Sequence, residues 1–310
     1  MNFYPFVFFK KYSFFLIAAL LVYSCASSAS LYFESADKKY ISGDYSGAIR
    51  DLSRVIELEP QNFIAFFKRG KAYSRIEKHE LAIKDYNKAI DLNAALAQAY
   101  LNRGIEYINI ENYKNALEDF NKAIELNPQT DLAYFSRGYV WSILNNTDNA
   151  LKDYTKAIEL NPVYVQAYVN RGNLKSYLND FNGAIEDYTK AIEINPNEAN
   201  AFISRAGDRA ITGNINGAIE DLTEAIEIHP SDTELYFQRG ELRIIIGNYK
   251  EAAADFDTVI KNDSTNSAAY YKKGISLINL GNKKDACSYL VRAGELGYIH
   301  AYEEIQKHCR

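Results

Sequence analysis

Along residues 113–126, Ala116, Leu117, Phe120, Ala123 and Ile124 recur at the three- and four-residue spacing of one helix face, with charged and polar residues between them. The stretch just before it, around Tyr100, Leu101, Gly104 and Tyr107, carries a second apolar stripe of the same period. Asn112 stands between the two, where its side chain can accept an N–H of the new helix. The pattern therefore predicts a helical hairpin. It recurs every 34 residues without an insertion, giving eight repeats at 29–62, 63–96, 97–130, 131–164, 165–198, 199–232, 233–266 and 267–300.

Each repeat places an alanine in its second helix: Ala48, Ala82, Ala116, Ala150, Ala184, Ala218, Ala252 and Ala286. A small residue occupies the first helix: Ala36, Gly70, Gly104, Gly138, Gly172, Ala206, Gly240 and Gly274. Such residues let two helices approach closely, and the neighbouring Phe120, Tyr154 or Tyr188 fills the space. Asp44, Asn146, Asp180, Asn214, Asn248 and Asn282 repeat the capping position of Asn112; Lys78 breaks it, so the second repeat should have the loosest turn. One hairpin cannot bury its apolar face alone, so the repeats stack as a one-dimensional solenoid. Tyr298, Ala301, Tyr302 and Ile305 then predict a capping helix over 298–308.

With these small residues and a proline ending several repeats (Pro60, Pro128, Pro162, Pro196, Pro230), residues 29–300 resemble the tetratricopeptide repeat family. The resemblance implies an all-α, right-handed superhelical solenoid that binds proteins in a groove lined by the first helices. Carried onto this chain, the lining is Phe67, Lys71, Leu101, Ile105, Phe135, Tyr139, Val169, Asn173 and Tyr177, continuing through Ile203, Ile211, Phe237, Glu241, Ile245, Tyr271 and Ile275. So apolar a lining suits an apolar peptide or helix. Lys71 and Asn173 stand three repeats apart, which does not support a carboxylate clamp.

One column departs from that family. Arg69, Arg103, Arg137, Arg171, Arg205, Arg239 and Lys273 occupy a position on the buried stripe, and Asp51, Asp85, Asp119, Asp153, Asp187, Asp221 and Asp255 occupy one in the second helix. The aspartates fill repeats one to seven and the cations two to eight. Pairing across repeats, Asp51 with Arg69 through Asp255 with Lys273, leaves no charge over, so that pairing is expected, with register as its use. The rival use of the row is to bind a small anion, as in a regulatory subunit.

The N-terminus reads differently. Lys10 and Lys11 precede an apolar run from Tyr12 to Tyr23, which predicts an export signal over 1–25 and a short linker over 26–30. Leu21 to Cys25 resembles a bacterial lipobox, implying lipidation at Cys25; cleavage after Ala26 or Ala29, or a retained anchor, are the alternatives. The expectation is an exported lipoprotein, membrane-anchored in the cell envelope and facing the periplasm or the outside, with a cytoplasmic-side adaptor as its rival.

Composition adds little. The chain is 47% hydrophobic and 24% charged, with net charge −5 and scattered basic residues, so no nucleic-acid footprint is evident. Cys25, Cys287 and Cys309 form no CxxC, and the four histidines are scattered as turn or solvated residues, so no metal or other cofactor is expected. Cys287 and Cys309 flank the last turn and can pair in an oxidising compartment. No nucleophile–base spacing or phosphate loop stands out, and catalysis is not expected.

Overall fold

The computed structural model describes residues 28–309. The segment expected to be an export signal, Cys25 and the start of the expected linker lie outside the described residues. Within them the chain is helical with no strand, and it divides into two compact units, the first ending at Leu160 and the second beginning at Asn161.

The N-terminal unit holds four hairpins. These are α1 (28–41) with α2 (Tyr45–Leu58), α3 (Phe63–Arg75) with α4 (His79–Leu92), α5 (Ala97–Asn109) with α6 (Tyr113–Leu126), and α7 (Asp131–Ile143) with α8 (Thr147–Leu160). The C-terminal unit holds α9 (Val165–Tyr177) with α10 (Phe181–Ile194), α11 (Ala199–Ile211) with α12 (Ile215–Ile228), α13 (Thr233–Ile245) with α14 (Tyr249–Asn262), and α15 (Ser267–Asn279) with α16 (Lys283–Glu295). The short α17 (Ala301–His308) follows. The all-α repeat fold expected from the sequence is the observed one, and the first helices from α3 onward begin where the repeats were drawn.

Close approach inside each hairpin sets the core. A Cβ added to Gly104 would sit 2.7 Å from the Phe120 ring, and one added to Gly172 would sit 2.7 Å from Tyr188. Phe120, Tyr154, Tyr188 and Phe256 are almost wholly buried in these slots. Where the large partner shrinks to Leu52 or Leu222, the small one grows to Ala36 or Ala206. In the last repeat Leu290 faces Gly274 instead, so this exchange of volume holds for two of the three leucine-bearing pairs.

The turns follow the expected chemistry with one exception. Asp44, Asn112, Asn146, Asp180, Asn214 and Asn282 each accept a backbone N–H of the helix they precede, whereas Asn248 makes no such bond. Lys78 also makes none, yet its N–H still reaches the Tyr73 carbonyl at 3.0 Å, as Asn112 reaches Tyr107 at 2.7 Å. The residue two before each second helix is left-handed: Gly43, Gly213, Gly247 and Gly281 in four turns, but Glu77, Glu111, Asn145 and Asn179 in the others.

The capping helix begins at Ala301, later than 298; Tyr298 precedes it and stacks on Tyr271 at 4.6 Å between ring centroids. A disulfide joins Cys287 in α16 to Cys309, with the Cα atoms 5.6 Å apart.

Candidate functional site

The arginine row is engaged, but not as the sequence suggested. Each arginine grips the aspartate of its own repeat, 16 residues on, in a two-pronged bond. Arg103 Nε and Nη2 donate to Asp119 at 2.8 and 2.6 Å; Arg137 does the same to Asp153 at 2.7 Å for each bond. Arg69–Asp85, Arg171–Asp187, Arg205–Asp221 and Arg239–Asp255 repeat it. The pairings Asp51–Arg69, Asp85–Arg103, Asp119–Arg137, Asp153–Arg171, Asp187–Arg205, Asp221–Arg239 and Asp255–Lys273 are therefore corrected.

The ends of the ladder explain the error, because other residues compensate there. Asp51 accepts from Lys39 and Ser35 at 2.6 Å each, and Lys273 bonds Asp257 and the Tyr289 hydroxyl. A carboxylate lost at Tyr289 reappears one repeat earlier at Asp257. The link between repeats does exist, through the third guanidinium nitrogen. Nη1 of Arg69, Arg103, Arg137, Arg205 and Arg239 reaches back to Ser53, Asn87, Asn121, Thr189 and Thr223. These acceptors stand two residues after the aspartates, a column whose common feature is a hydrogen-bonding side chain. That feature could have been read from the sequence.

Each guanidinium also lies on aromatic faces of its own helix, as Arg103 does over Tyr100 at 5.5 Å and Tyr107 at 5.9 Å. In the C-terminal unit a second cation joins each aspartate: Lys175 on Asp187, Arg209 on Asp221 and Arg243 on Asp255. The buried carboxylates are thus held from several sides, and each of the three guanidinium nitrogens of Arg103 and of Arg137 is bonded within the protein itself.

The proposed groove lining divides into two sets. Leu101 and Val169 are buried, which removes them from a contact surface. Phe67, Phe135 and Phe237 are half-buried and pack on Tyr86, Tyr154 and Phe256, with ring centroids 5.6–5.9 Å apart; Tyr271 is held by Tyr298. The three phenylalanine rings thus pack within their own hairpins. Lys71, Ile105, Ile203, Glu241 and Ile275 are half-exposed, while Tyr139 and Asn173 are exposed. The strongest exposure is in one row. Tyr177, Ile211 and Ile245, at the C-terminal ends of α9, α11 and α13, are 72%, 63% and 66% exposed. They stand at the same position of three successive repeats.

Two buried acids went unnoticed in the sequence. Glu106 in α5 accepts from the Ser74 hydroxyl at 2.5 Å and lies 2.7 Å from His79 Nδ1, so His79 is not a solvated histidine. Asp208 in α11 accepts from Ser176 at 2.7 Å, but its other oxygen is buried with no partner. Burial pushes the Asp208 carboxyl above the ordinary range, against the Ser176 hydrogen bond. Both acids fall on one repeat position, where apolar Val140, Leu174 and Leu242 stand in other repeats, and that misfit is their only signature in the sequence.

Among the described residues no three His, Cys, Asp or Glu side chains converge as a metal site, and no helix is long and apolar enough to cross a membrane.

Comparison with known proteins agrees with this architecture. Family models described as tetratricopeptide repeat match residues 97–130, 132–164, 165–198, 64–96, 212–267 and 237–295, and one described as TPR repeat matches 36–77. No match is found among curated protein sequences. Among solved structures, YrrB, described as a TPR protein with an unusual peptide-binding site, is 26% identical, with a TM-score of 0.51 over 59% of this chain and 95% of its own. The MamA protein is 29% identical, with a TM-score of 0.51 over 56% and 95%. The C-terminal part of a TPR repeat-containing protein from Cytophaga hutchinsonii is 18% identical, with a TM-score of 0.65 over 76% and 97%, and speaks for the fold alone.

Proposed function

The chain belongs to the tetratricopeptide repeat family, a scaffold for protein–protein interaction, and from that premise we propose that it binds an apolar peptide or helix along its first helices. The exposed row Tyr177, Ile211 and Ile245 carries this reading. Three large apolar side chains at one repeat position, none of them buried, make a stripe that a partner would cover. The peptide-binding site named for YrrB supports the same kind of use. The occupied forks of Arg103 and Arg137 weigh against the anion-binding alternative.

The reading includes an address. A basic, then apolar, then Cys25 leader supports export and lipid anchoring in the cell envelope, and the Cys287–Cys309 bond suits an oxidising compartment.

The test is cross-linked co-purification of the full chain from its native host, beside an Ile211→Lys, Ile245→Lys variant. Phe135 and Phe237 are unsuitable for it, because charges there would disturb the hairpin core. A partner captured by the parent and lost from a variant with unchanged melting supports the stripe. Identical capture lists overturn it. The intact mass of the membrane-bound chain, with and without Cys25→Ser, tests the anchor.

A further inference from the structure

Resting on the reading above, this inference concerns the first two repeats. A cavity of about 270 Å³ opens between α1, α2 and α3, walled by Ala36, Tyr40, Ile41 and Leu52 and rimmed by Asp37, Lys68 and Lys71, which leaves one positive charge in excess. The two lysines differ. Lys68 donates to both oxygens of Asp37, at 2.6 and 2.7 Å, and is satisfied. Lys71 has no carboxylate. Among the described residues it is the one lysine or arginine short of full exposure that lacks such a partner.

What Lys71 has instead is the faces of two rings, Tyr40 at 5.4 Å and Phe67 at 6.0 Å. They offset part of the cost of half-burying an ammonium, but they leave its charge uncompensated. One turn on, Arg75 binds only the Tyr40 hydroxyl, at 3.3 Å. Two like charges at this spacing repel, so this helix face gains nothing from them in isolation. In a chain of net charge −5, the cavity is locally positive and otherwise apolar, with Ile41 85% exposed at its edge.

We propose that this cavity binds the side-chain carboxylate of an aspartate or glutamate that stands beside a bulky apolar residue in a partner polypeptide. The carboxylate sits on Lys71, with Arg75 adding field, and the apolar group fills the space between Tyr40, Ile41 and Leu52. Charge complementarity selects the acid, and the ring walls select its neighbour. A purely apolar segment would leave Lys71 more deeply buried and still unpaired, which is a loss rather than a gain.

The experiment is selection of a random heptapeptide display library on the full chain, with both peptide ends blocked. Parent, Lys71→Gln and Lys71→Arg chains are used in parallel. Peptides enriched on the parent should carry Asp or Glu next to Leu, Ile, Phe or Tyr. A representative, made acetylated and amidated, should bind Lys71→Gln about tenfold more weakly and Lys71→Arg nearly as well as the parent. Changing its acid to the amide should matter on the parent and not on Lys71→Gln. Apolar peptides without acid preference, or equal binding to Lys71→Gln, overturn this inference while leaving the stripe on α9, α11 and α13 intact. If the parent selects no peptide at all, both readings fall.

Discussion

Asp208 is where this chain departs most sharply from its own repeat, because a carboxylate stands at a position that is leucine in the preceding repeat and in the following one. One oxygen is bonded to Ser176 and the other is buried without a partner. A buried unsatisfied polar group costs about 1–3 kcal/mol. Asp208→Leu is therefore expected to raise the melting temperature, by an amount corresponding to that range. The sign with pH follows from the raised folded value. The folded state holds this proton more tightly than the unfolded chain does, so the penalty is absent below about pH 3.9 and grows as pH rises through the folded value. Asp208→Asn removes the titration, so its advantage over the parent in thermal melts should be larger at pH 7 than at pH 3.5. An advantage independent of pH would mean the carboxyl is not raised. The arginine ladder makes a second test at this scale. Arg137→Ala and Asp153→Ala should show a coupling of about 1–3 kcal/mol in a double-mutant cycle, while Arg137→Ala with Asp119→Ala should be nearly additive. The columns of charge were legible in the sequence, but the partner was not. Counting charges at the two ends left out Lys39, Asp257 and Tyr289, whose roles emerge only when the helices are in place.

At the level of the hairpin, local rules were legible almost throughout, because each is a short-range choice repeated eight times. The capping residue, the small residue and the large one opposite it all act within one repeat, and stacking does not override them. The groove was less legible. Phe67, Phe135 and Phe237 stand on first helices like the exposed row does, and helical spacing alone does not distinguish a ring that faces a partner from one that packs on Tyr86, Tyr154 or Phe256. The same local physics gives opposed predictions for two substitutions in one hairpin. Glu111 is left-handed at φ 58°, where a side chain costs about 1 kcal/mol, so Glu111→Gly should stabilise by roughly that amount. Gly104→Ala puts a Cβ 2.7 Å from the Phe120 ring and should destabilise by about 1–3 kcal/mol. Denaturant melts of the two variants check both signs; a stabilising Gly104→Ala would mean that Phe120 can retreat.

Across the whole chain, stability is a sum of hairpin terms and nearest-neighbour contacts, so damage stays near its origin. The end of the C-terminal unit is where that matters most, since α17 is short and covers the last hairpin only from one side. Ala293 of α16 and Ala301 of α17 are fully buried, Tyr302 donates to the Gly294 carbonyl at 3.1 Å, and the Cys287–Cys309 bond ties α17 down. A crosslink closing a loop of this length (22 residues apart in sequence) contributes about 3 kcal/mol, chiefly by restricting the opened state. Cys287→Ser, or reduction of the parent, is therefore expected to free α17 before anything else. Hydrogen exchange followed by mass spectrometry should show faster exchange over α16 and α17, while protection over α3 to α6 is unchanged. Uniform loss of protection along the chain would contradict the additive picture and imply that the repeats unfold as one cooperative body. If only the capping region loosens, the disulfide is a local fastener, and the redox state of the compartment sets how much of the last hairpin's apolar face is open to a partner.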